Sequence, residues 1–518
     1  MTGVTAVLRS SFRRITGEGQ AGRLRGILLR FSLVSAFVKV IGFSRSAAIA
    51  ALVGAGAHLD AYFATQVIMG IVVITFADQF EMVVGQRVRF AADTNGDAGV
   101  RDAGSRLFGL SLALGGLCAV VYIAVYPLLN GWLANPGAVV ARDEYVRLAL
   151  VFLPFVAMYL PYRTICALLK GAGKYNVSFR LDAAQAIVYF ILTVAFLSLT
   201  RESTSSAVIA VSAAQVVSQG LLLLVAIWSA RRYLSTSDAW RPRLANVREF
   251  LGETGALYLF GVLFFGFTIL DRHFAAISLV GGLSLLSFAS TISNTVRSVL
   301  SFEQVFGIEF GTAGSRQDIL TRAVGMSLRV GIPAAVIQSV FATELMRVAF
   351  QRGRFSAQDA AGGATVLVVY GLATVVFLVW PILLRMLQAM GGLTQAFKLL
   401  PAGLLAALVS GLVLVPRIGL PGAVAATGIG HLVLVVGGIL MLRKLKLHAF
   451  SARDAAVMAL RILTLSMAAL AIRFLVIAPD LLILRLGVSV TLVLGIDALL
   501  VVLFNSRMLP LRQPPTHQ

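Results

Sequence analysis

Cationic side chains inside apolar segments are the residues of this sequence with the clearest chemical purpose. Lys39 and Arg45 lie in the first long apolar stretch, and Arg297 lies within a later one. A charge near the centre of a bilayer costs about 3 kcal/mol or more, so it normally faces a cavity, a partner or the interface. Cations that face a cavity would attract an anion such as a diphosphate, and an arginine would bind it through two parallel hydrogen bonds. These three residues are therefore candidate substrate-binding residues.

Both cations of the first apolar stretch also have a structural interpretation. Arg45 would extend its guanidinium to the outer interface, and Lys39 would pair with a carboxylate. Gly42 lies between them and would permit a bend, which makes it a secondary candidate. The sequence leaves both interpretations open.

Acidic residues of the second predicted helix form another group. Asp78 and Glu81 stand one turn apart near its end, where they would answer Lys39, gate the inner mouth of a cavity or be solvated at the interface. We place Asp78 with the cavity residues and Glu81 with the secondary candidates. Asp60 opens the same helix and is a further secondary candidate, although the helix dipole favours an acid there and a structural role in the outer turn is expected.

The second half of the chain adds Asp271 and Arg272, secondary candidates at the end of the seventh predicted helix. Glu344 and Arg347, three residues apart on the ninth, are expected to neutralise each other as an intrahelical pair. The sequence contains no Ser-His-Asp set, no metal-ligand spacing and no P-loop. We therefore predict a protein that is not an enzyme, with no cofactor and no metal.

The elements that position these residues must be membrane-spanning helices. Of the 518 residues 58% are apolar and only 13% are charged, and the mean hydropathy is +0.89. Apolar stretches of about twenty residues recur from Ile27 to Phe504, and each is long enough to cross a hydrocarbon core of about 30 Å. We predict an all-α polytopic membrane protein with about 14 transmembrane helices.

The net charge of +21 is spread over short loops, which argues against a nucleic-acid partner. Lys and Arg concentrate in alternate loops, as the positive-inside rule requires if both termini are cytoplasmic. The basic tail of residues 1–26 would then lie against the anionic cytoplasmic leaflet.

Two halves of the chain repeat the same landmarks in the same order. An arginine precedes a glycine by the same spacing in both halves, and further on a proline precedes a glycine by the same spacing. The repeat predicts an N-lobe of six helices over residues 27–235 and a C-lobe of six over 245–445, related by a parallel pseudo-two-fold axis. Two additional helices are predicted over residues 450–505. The landmarks are Arg45 and Gly54, matched by Arg272 and Gly281, then Pro161 and Gly171, matched by Pro381 and Gly391.

Three segments carry a family resemblance. They read V-K-V-I-G-F-S-R-S-A-A-I-A-A-L-V-G-A-G-A-H-L-D-A-Y-F-A at 38–64, L-D-R-H-F-A-A at 270–276 and F-Q-R-G-R-F-S-A-Q-D-A at 350–360. They resemble the MurJ/MviN lipid II flippases of the multidrug/oligosaccharidyl-lipid/polysaccharide exporter superfamily.

The resemblance implies two six-helix lobes around a cationic cavity, alternating access between the two sides of the membrane, and a groove for a polyprenyl tail beside the last two helices. The carboxylates of the sodium site of some family members have no counterpart here. The family's functional positions fall on Lys39, Arg45, Asp60 and Asp78, whereas its arginines of the second and eighth helices fall on Val73 and Thr291.

The expected function is a flippase that moves an undecaprenyl-diphosphate-linked saccharide, a peptidoglycan precursor or a polysaccharide unit, across the bacterial cytoplasmic membrane. This substrate and membrane lipids would be its partners, with envelope-biosynthesis enzymes as further candidates, and the protein would be a monomer. A MATE-like drug/cation antiporter is the alternative within transport, although it should carry acids in its cavity and lack the last two helices. The third candidate is a non-transporting scaffold for envelope biosynthesis, supported by the loss of the eighth-helix arginine.

Overall fold

The computed structural model describes residues 20–137, 140, 142–200, 203–234, 244–299, 316–449, 452–475 and 482–503. Every regular element in these ranges is helical, which confirms the prediction of an all-α polytopic membrane protein. Most of the predicted basic tail lies outside the described residues.

Fourteen helices follow one another along the described ranges, as the apolar periods predict. The N-terminal half contains α1 (Gln20–Val53), α2 (residues 57–95), α3 (residues 97–133), α4 (Arg142–Gly171), α5 (Tyr175–Leu199) and α6 (Thr204–Ala230). The C-terminal half contains α7 (Leu244–Ser278), α8 (Gly282–Val299), α9 (residues 316–350), α10 (Ala357–Ala389), α11 (Leu393–Ile418) and α12 (Leu420–Lys444). The last two are α13 (Ala452–Leu475) and α14 (Leu482–Leu503).

The helix α2 contains an irregular turn. α2 begins as Ala57–Met69, continues through the π-helical turn Gly70–Ile74, and enters the run Thr75–Leu133. That run bends at Gly96, whose backbone is not helical (φ 58°, ψ −145°), and α3 begins there. The π turn leaves one extra residue in α2, and such turns often lie at functional sites.

Twelve segments of the described chain are long and apolar enough to cross a membrane, and one of them, Ala57–Leu133, contains both α2 and α3. Among the described helices α8 alone falls outside these segments; it has 18 residues and carries Arg297 in its last turn. The count of helices therefore agrees with the predicted number of about 14.

Packing follows the order of the chain. We use N-lobe for α1–α6 and C-lobe for α7–α12. Within the N-lobe α4 packs on α3 and α6, and α5 packs on α1 and α6; within the C-lobe α10 packs on α9 and α12, and α11 on α12. α1 and α2 pack on α8 across the two lobes, and α13 and α14 pack on α9.

The repeated landmarks have matching backbone conformations in only one of two cases. Gly54, between α1 and α2, and Gly281, between α7 and α8, both have left-handed backbones, with φ of 83° and 87°. In the α10–α11 turn the left-handed residue is Gly391, but in the α4–α5 turn it is Gly173 and not Gly171. Gly171 instead lies close to Val88, where a side chain would collide.

Candidate functional site

The outer end of the molecule is the end that holds the α1–α2 and α7–α8 turns, and the predicted topology makes it periplasmic. Here Asp60, in the first turn of α2, reaches the N-terminus of α8 in the other lobe. Its carboxylate accepts hydrogen bonds from the backbone N–H of Gly281 (2.7 Å), the backbone N–H of Ser284 (2.7 Å) and the Ser284 hydroxyl (2.6 Å). A helix N-terminus has unpaired N–H groups and partial positive charge, so it favours a carboxylate. Asp60 thus caps α8 instead of acting only on its own helix.

An aromatic cluster lies between the lobes at the same end. Phe63 of α2 meets Phe288 of α8 edge to face, with ring centroids 5.9 Å apart. Phe43 of α1 lies 5.6 Å from Phe350 at the end of α9, and Phe355 lies 5.3 Å from Phe288. Phe288 and Phe350 are buried, so these rings exclude water from the junction of the lobes.

Backbone groups add to the closure of the outer end. The N–H of Arg354, in the α9–α10 turn, donates to the carbonyl oxygen of Ala51 on α1 at 2.8 Å. The ring of His273 stacks on Trp132, with centroids 3.9 Å apart, and its Nδ1 lies 2.7 Å from the Trp132 carbonyl oxygen. Contacts from α1, α2 and α3 therefore join the N-lobe to the C-lobe at this end.

The two predicted cations of α1 have different surroundings. Lys39 is exposed and forms no ion pair with the described residues. Arg45 is half-buried, with its guanidinium carbon 4.0 Å from the ring centroid of Tyr189 on α5. The Tyr189 hydroxyl lies 3.0 Å from that of Tyr62 and donates to Gln215 at 2.8 Å. Arg45 thus contacts a polar cluster of the N-lobe instead of extending to the interface.

Gly42 does not bend α1. The helix is continuous from Gln20 to Val53, and the hydroxyl of Ser46 donates to the Gly42 carbonyl oxygen at 3.1 Å. A methyl group added at Gly42 would meet no atom within 4 Å. The bend that Gly42 would permit is therefore not present in α1.

Asp78 and Glu81 pair with cations of α4, not with the lysine of α1. Arg163 forms an ion pair with Glu81, and one of its Nη atoms lies 3.8 Å from the Asp78 carboxylate. Lys170 Nζ lies 2.6 Å from a carboxylate oxygen of Glu81. Arg163 also approaches Asp182 of α5 at 3.6 Å. The result is an ionic network inside the N-lobe.

Sequence reasoning did not single out three members of this network, namely Arg163, Lys170 and Asp182. Arg163 lies within an apolar segment, so the test that selected Lys39 would also have found it. Lys170 and Asp182 lie near helix ends, where charges are common, and only the fold reveals their partners.

Asp271 and Arg272 are held within the C-lobe. Arg272 donates to the hydroxyls of Ser287 (2.6 Å) and Ser290 (3.2 Å) on α8. Asp271 is buried and accepts a hydrogen bond from Tyr370 at 3.4 Å. These two secondary candidates therefore join α7 to α8 and α10.

Arg297 lies one helix away from the cations of α1, because α8 packs on α1. Its guanidinium carbon is 4.6 Å from the ring centroid of Phe377 on α10, and it donates to Asn294. The structure thus brings Lys39, Arg45 and Arg297 onto neighbouring helices, while Asp78 belongs to the network of α4.

The predicted intrahelical pair on α9 is wrong. Glu344 pairs with Arg473 of α13 at 3.1 Å, and Arg473 also donates to the carbonyl oxygen of Val340 at 2.8 Å. Glu344 pairs with Arg473 and not with Arg347 because its side chain is buried against α13, where a charge requires a close counterion.

Comparisons with known proteins agree with this architecture. The profile of the family described as "Lipid II flippase MurJ" matches residues 49–483. A "Probable lipid II flippase MurJ" of Rhizobium tropici is 23% identical over 382 residues, which cover 68% of this chain and 67% of that protein. Another, of Rhizobium meliloti (strain 1021), is 25% identical over 359 residues, or 65% of each chain. The chain thus spans about two thirds of the length of these relatives.

Solved structures show the same fold. A lipid II flippase MurJ in an inward closed conformation has a TM-score of 0.72 and 16% identity, over 92% of this chain and 99% of the other. An inward-facing multidrug resistance MATE transporter of the MOP superfamily has a TM-score of 0.65 and 14% identity, over 80% of this chain and 97% of the other. Since the family profile spans most of the described helices, this multi-pass membrane protein belongs to the MurJ family of lipid II flippases.

Proposed function

We propose that the protein moves an undecaprenyl-diphosphate-linked saccharide from the cytoplasmic to the outer leaflet of the cytoplasmic membrane by alternating access. The observation that carries the proposal is the closure of the outer end by Asp60 at the N-terminus of α8. The N-lobe and the C-lobe are joined at the outer end by this contact, by the aromatic cluster and by a few backbone groups. A rotation of one lobe relative to the other would break all of these contacts at once. A ligand entering from the opposite end would then leave through the outer one.

The diphosphate of the substrate is the group that we assign to the cations of α1 and α8. Lys39 is the foremost of them, because this lysine is exposed and forms no ion pair with the described residues, so an anionic ligand can bind it. Arg45 and Arg297 place their guanidinium groups over aromatic rings, and a guanidinium is the side-chain group that binds phosphate oxygens through two parallel hydrogen bonds. Asp78, whose side chain is 55% exposed, is assigned to the inner mouth beside Arg163.

The names of the relatives support a lipid-linked precursor as the substrate class, and the saccharide remains either a peptidoglycan precursor or a polysaccharide unit. The predicted topology, with both termini cytoplasmic, makes the closed end periplasmic. A cationic cavity would repel a cationic drug, so the MATE-like alternative is disfavoured although the fold is shared.

Replacing Lys39 by alanine tests this proposal. We expect Lys39→Ala to abolish transport at an unchanged amount of folded protein, because the side chain has no ion pair with the described residues to lose. Lys39→Arg should retain transport, since a guanidinium binds phosphate through two bonds. Transport of lipid II in vesicles, complementation of a strain that lacks the gene, and membrane abundance are measured together.

Lys174→Ala is the matched control, because Lys174 is an exposed lysine in the α4–α5 turn of the same lobe. It should transport normally. Full complementation by Lys39→Ala at normal abundance would refute the cationic site. Complementation by the unmodified protein without transport of lipid II in vesicles would favour the scaffold.

A further inference from the structure

Two arginines lie where the last two helices pack on the C-lobe: Arg461 of α13 has hydrogen-bond partners, whereas two nitrogens of Arg329 on α9 have none in the described chain. Arg461 of α13 donates from Nε and one Nη to the two carboxylate oxygens of Asp497 on α14, at 2.7 and 2.6 Å. The same Nη donates to the backbone carbonyl oxygen of Arg329 on α9 at 2.7 Å. Arg329 itself has two buried guanidinium nitrogens, Nε and one Nη, without a hydrogen-bond partner in the described chain.

The charges of this cluster do not balance. Two guanidinium groups meet one carboxylate, and Asp497 already forms a two-bond pair with Arg461. A buried charged donor without an acceptor is more costly than a neutral one, so Arg329 requires an anion that the described helices do not supply. The orphaned Nε and Nη atoms have the spacing with which a guanidinium binds a phosphate.

The direction of the side chains indicates where this anion lies. Side chains of an α-helix tilt toward its N-terminus, and α9 and α13 both begin at the end opposite the outer one. Arg329 follows the described start of α9 by 13 residues, or about 20 Å of helix, and Arg461 follows that of α13 by nine, or about 14 Å. Both guanidinium groups are thus directed toward the leaflet that the predicted topology makes cytoplasmic.

The surface beside Arg329 is apolar and open. Met326 and Val330 flank it on α9 with exposed fractions of 44% and 39%, and Leu460 and Leu463 on α13 are exposed at 46% and 58%. In a membrane such side chains contact acyl chains. An anionic group above an acyl-chain surface is the chemistry of a phospholipid, whereas a free phosphate would gain nothing from it.

We propose that Arg329 binds the phosphate of an anionic phospholipid of the cytoplasmic leaflet, held where α13 and α14 pack on α9. The side chain of Arg329 turns toward this surface so that the phosphate accepts from its Nε and Nη, which are covered by protein atoms before the lipid binds. The acyl chains lie along the exposed side chains of α9 and α13. The lipid thereby joins the two additional helices to the C-lobe. This site is separate from the proposed substrate cations, which lie on α1 and α8, and does not depend on the proposed function.

Titration of the purified full-length protein with phosphatidylglycerol, followed by native mass spectrometry, tests the site. We expect Arg329→Gln to weaken binding about tenfold, since it removes a charged two-bond contact. Arg322→Gln, an exposed arginine on the same helix two turns earlier, removes the same charge and should bind as the unmodified protein does. Equal weakening by both variants would overturn the proposal, because it would indicate general attraction to basic surface, and so would unchanged binding by Arg329→Gln.

Thermal unfolding separates a lipid site from a structural role of Arg329. In lipid-free detergent Arg329→Gln should melt at or above the temperature of the unmodified protein, because an unpaired charge is removed. Phosphatidylglycerol should then raise the melting temperature of the unmodified protein and not that of the variant. A lower melting temperature of the variant with and without lipid would overturn the proposal. Equal stabilisation by inorganic phosphate would also overturn the proposal, because it would assign the site to a free anion. Displacement of phosphatidylglycerol by an equimolar amount of undecaprenyl diphosphate would overturn it as well, because it would assign the site to the substrate.

Discussion

The N-lobe has a charged side chain and the C-lobe an apolar one at the same distance after a repeated proline. Pro161 of α4 and Pro381 of α10 each begin the last turns of a helix, and two residues later stand Arg163 and Leu383. Arg163 lies among the carboxylates of α2 and α5. Leu383 is completely buried in an apolar core beside Trp380. A repeat of helices has therefore been kept while the position after this proline is ionic in the N-lobe and apolar in the C-lobe.

The cores around Arg163 and Leu383 differ in how readily they can rearrange. Ion pairs depend on the charge nearby and can exchange partners, whereas close-packed apolar side chains resist rearrangement. The inner half of the N-lobe is thus suited to respond to a charged ligand. The C-lobe is suited to serve as the rigid body on which α13 and α14 are mounted.

The largest effect is expected when the N-lobe is given the residue of the C-lobe. Arg163→Leu would leave Asp182 and Asp78 without their cation and Glu81 with Lys170 alone, so we expect a loss of about 3 kcal/mol in the free energy of unfolding. The amount of folded protein in the membrane and its melting temperature in detergent measure this loss.

The reciprocal control is Leu383→Arg, which buries a charge in an apolar core and should also destabilise the protein severely. If Arg163→Leu folded as well as the unmodified protein, the ionic network would contribute nothing and the contrast between the lobes would have no energetic meaning.

A smaller effect is expected at the outer end, where α2 carries an acid and the matching part of α8 carries Leu286 and Ser287. Asp60→Asn retains the shape of the side chain but weakens its hydrogen bonds to α8, by about 2 kcal/mol in total. The outer end should therefore open in a larger fraction of molecules. Spin labels at Leu199 and Ile418, exposed ends of α5 and α11, report this as a longer distance.

The distance measurement needs a cysteine-free background and a control variant. The labels require Cys118 and Cys166 to be replaced by alanine, and that background must transport normally. Asp102→Asn removes an acid from an exposed pair with Arg106 and should leave the distance unchanged. An unaltered distance in Asp60→Asn would mean that the aromatic cluster and the other contacts of the outer end keep the lobes together without this carboxylate.

The smallest effect is expected at Gly42, which stands three residues before Arg45 as Ile269 stands before Arg272 in the C-lobe. Because a methyl group there meets no atom, Gly42→Ala should stabilise α1 by about 0.5–1 kcal/mol. Melting temperature and transport are compared. A stabilised protein that no longer transports would reveal a state in which α1 bends at Gly42, and loss of stability would contradict the open surroundings of this residue.

Hydropathy was sufficient to predict the helices, because a span of about twenty apolar residues has few alternatives in a bilayer. The family followed from short motifs, chiefly that around Arg45 and Asp60. The partners of charges were not predictable in the same way. Asp60 binds residues more than 220 positions away in the sequence, and spacing along one helix gives no information about such a contact.

The pairing predicted for Glu344 from its spacing was wrong for the same reason. Its spacing from Arg347 satisfied the rule for an intrahelical pair, but the C-lobe brings Arg473 of α13 within 3.1 Å. Local rules describe isolated helices, whereas in a bundle the neighbouring helix decides which counterion is closest.

The π-helical turn Gly70–Ile74 gives α2 a means of changing its winding. The hydroxyl of Thr75 donates to the Gly70 carbonyl oxygen at 2.8 Å and so supports the widened turn. Were the extra residue to migrate past Asp78 and Glu81, both side chains would turn by about 100° around the helix axis and leave Arg163. The inner end of the N-lobe would then exchange its charges by axial rotation of one segment, while the cap on α8 at the outer end stayed in place.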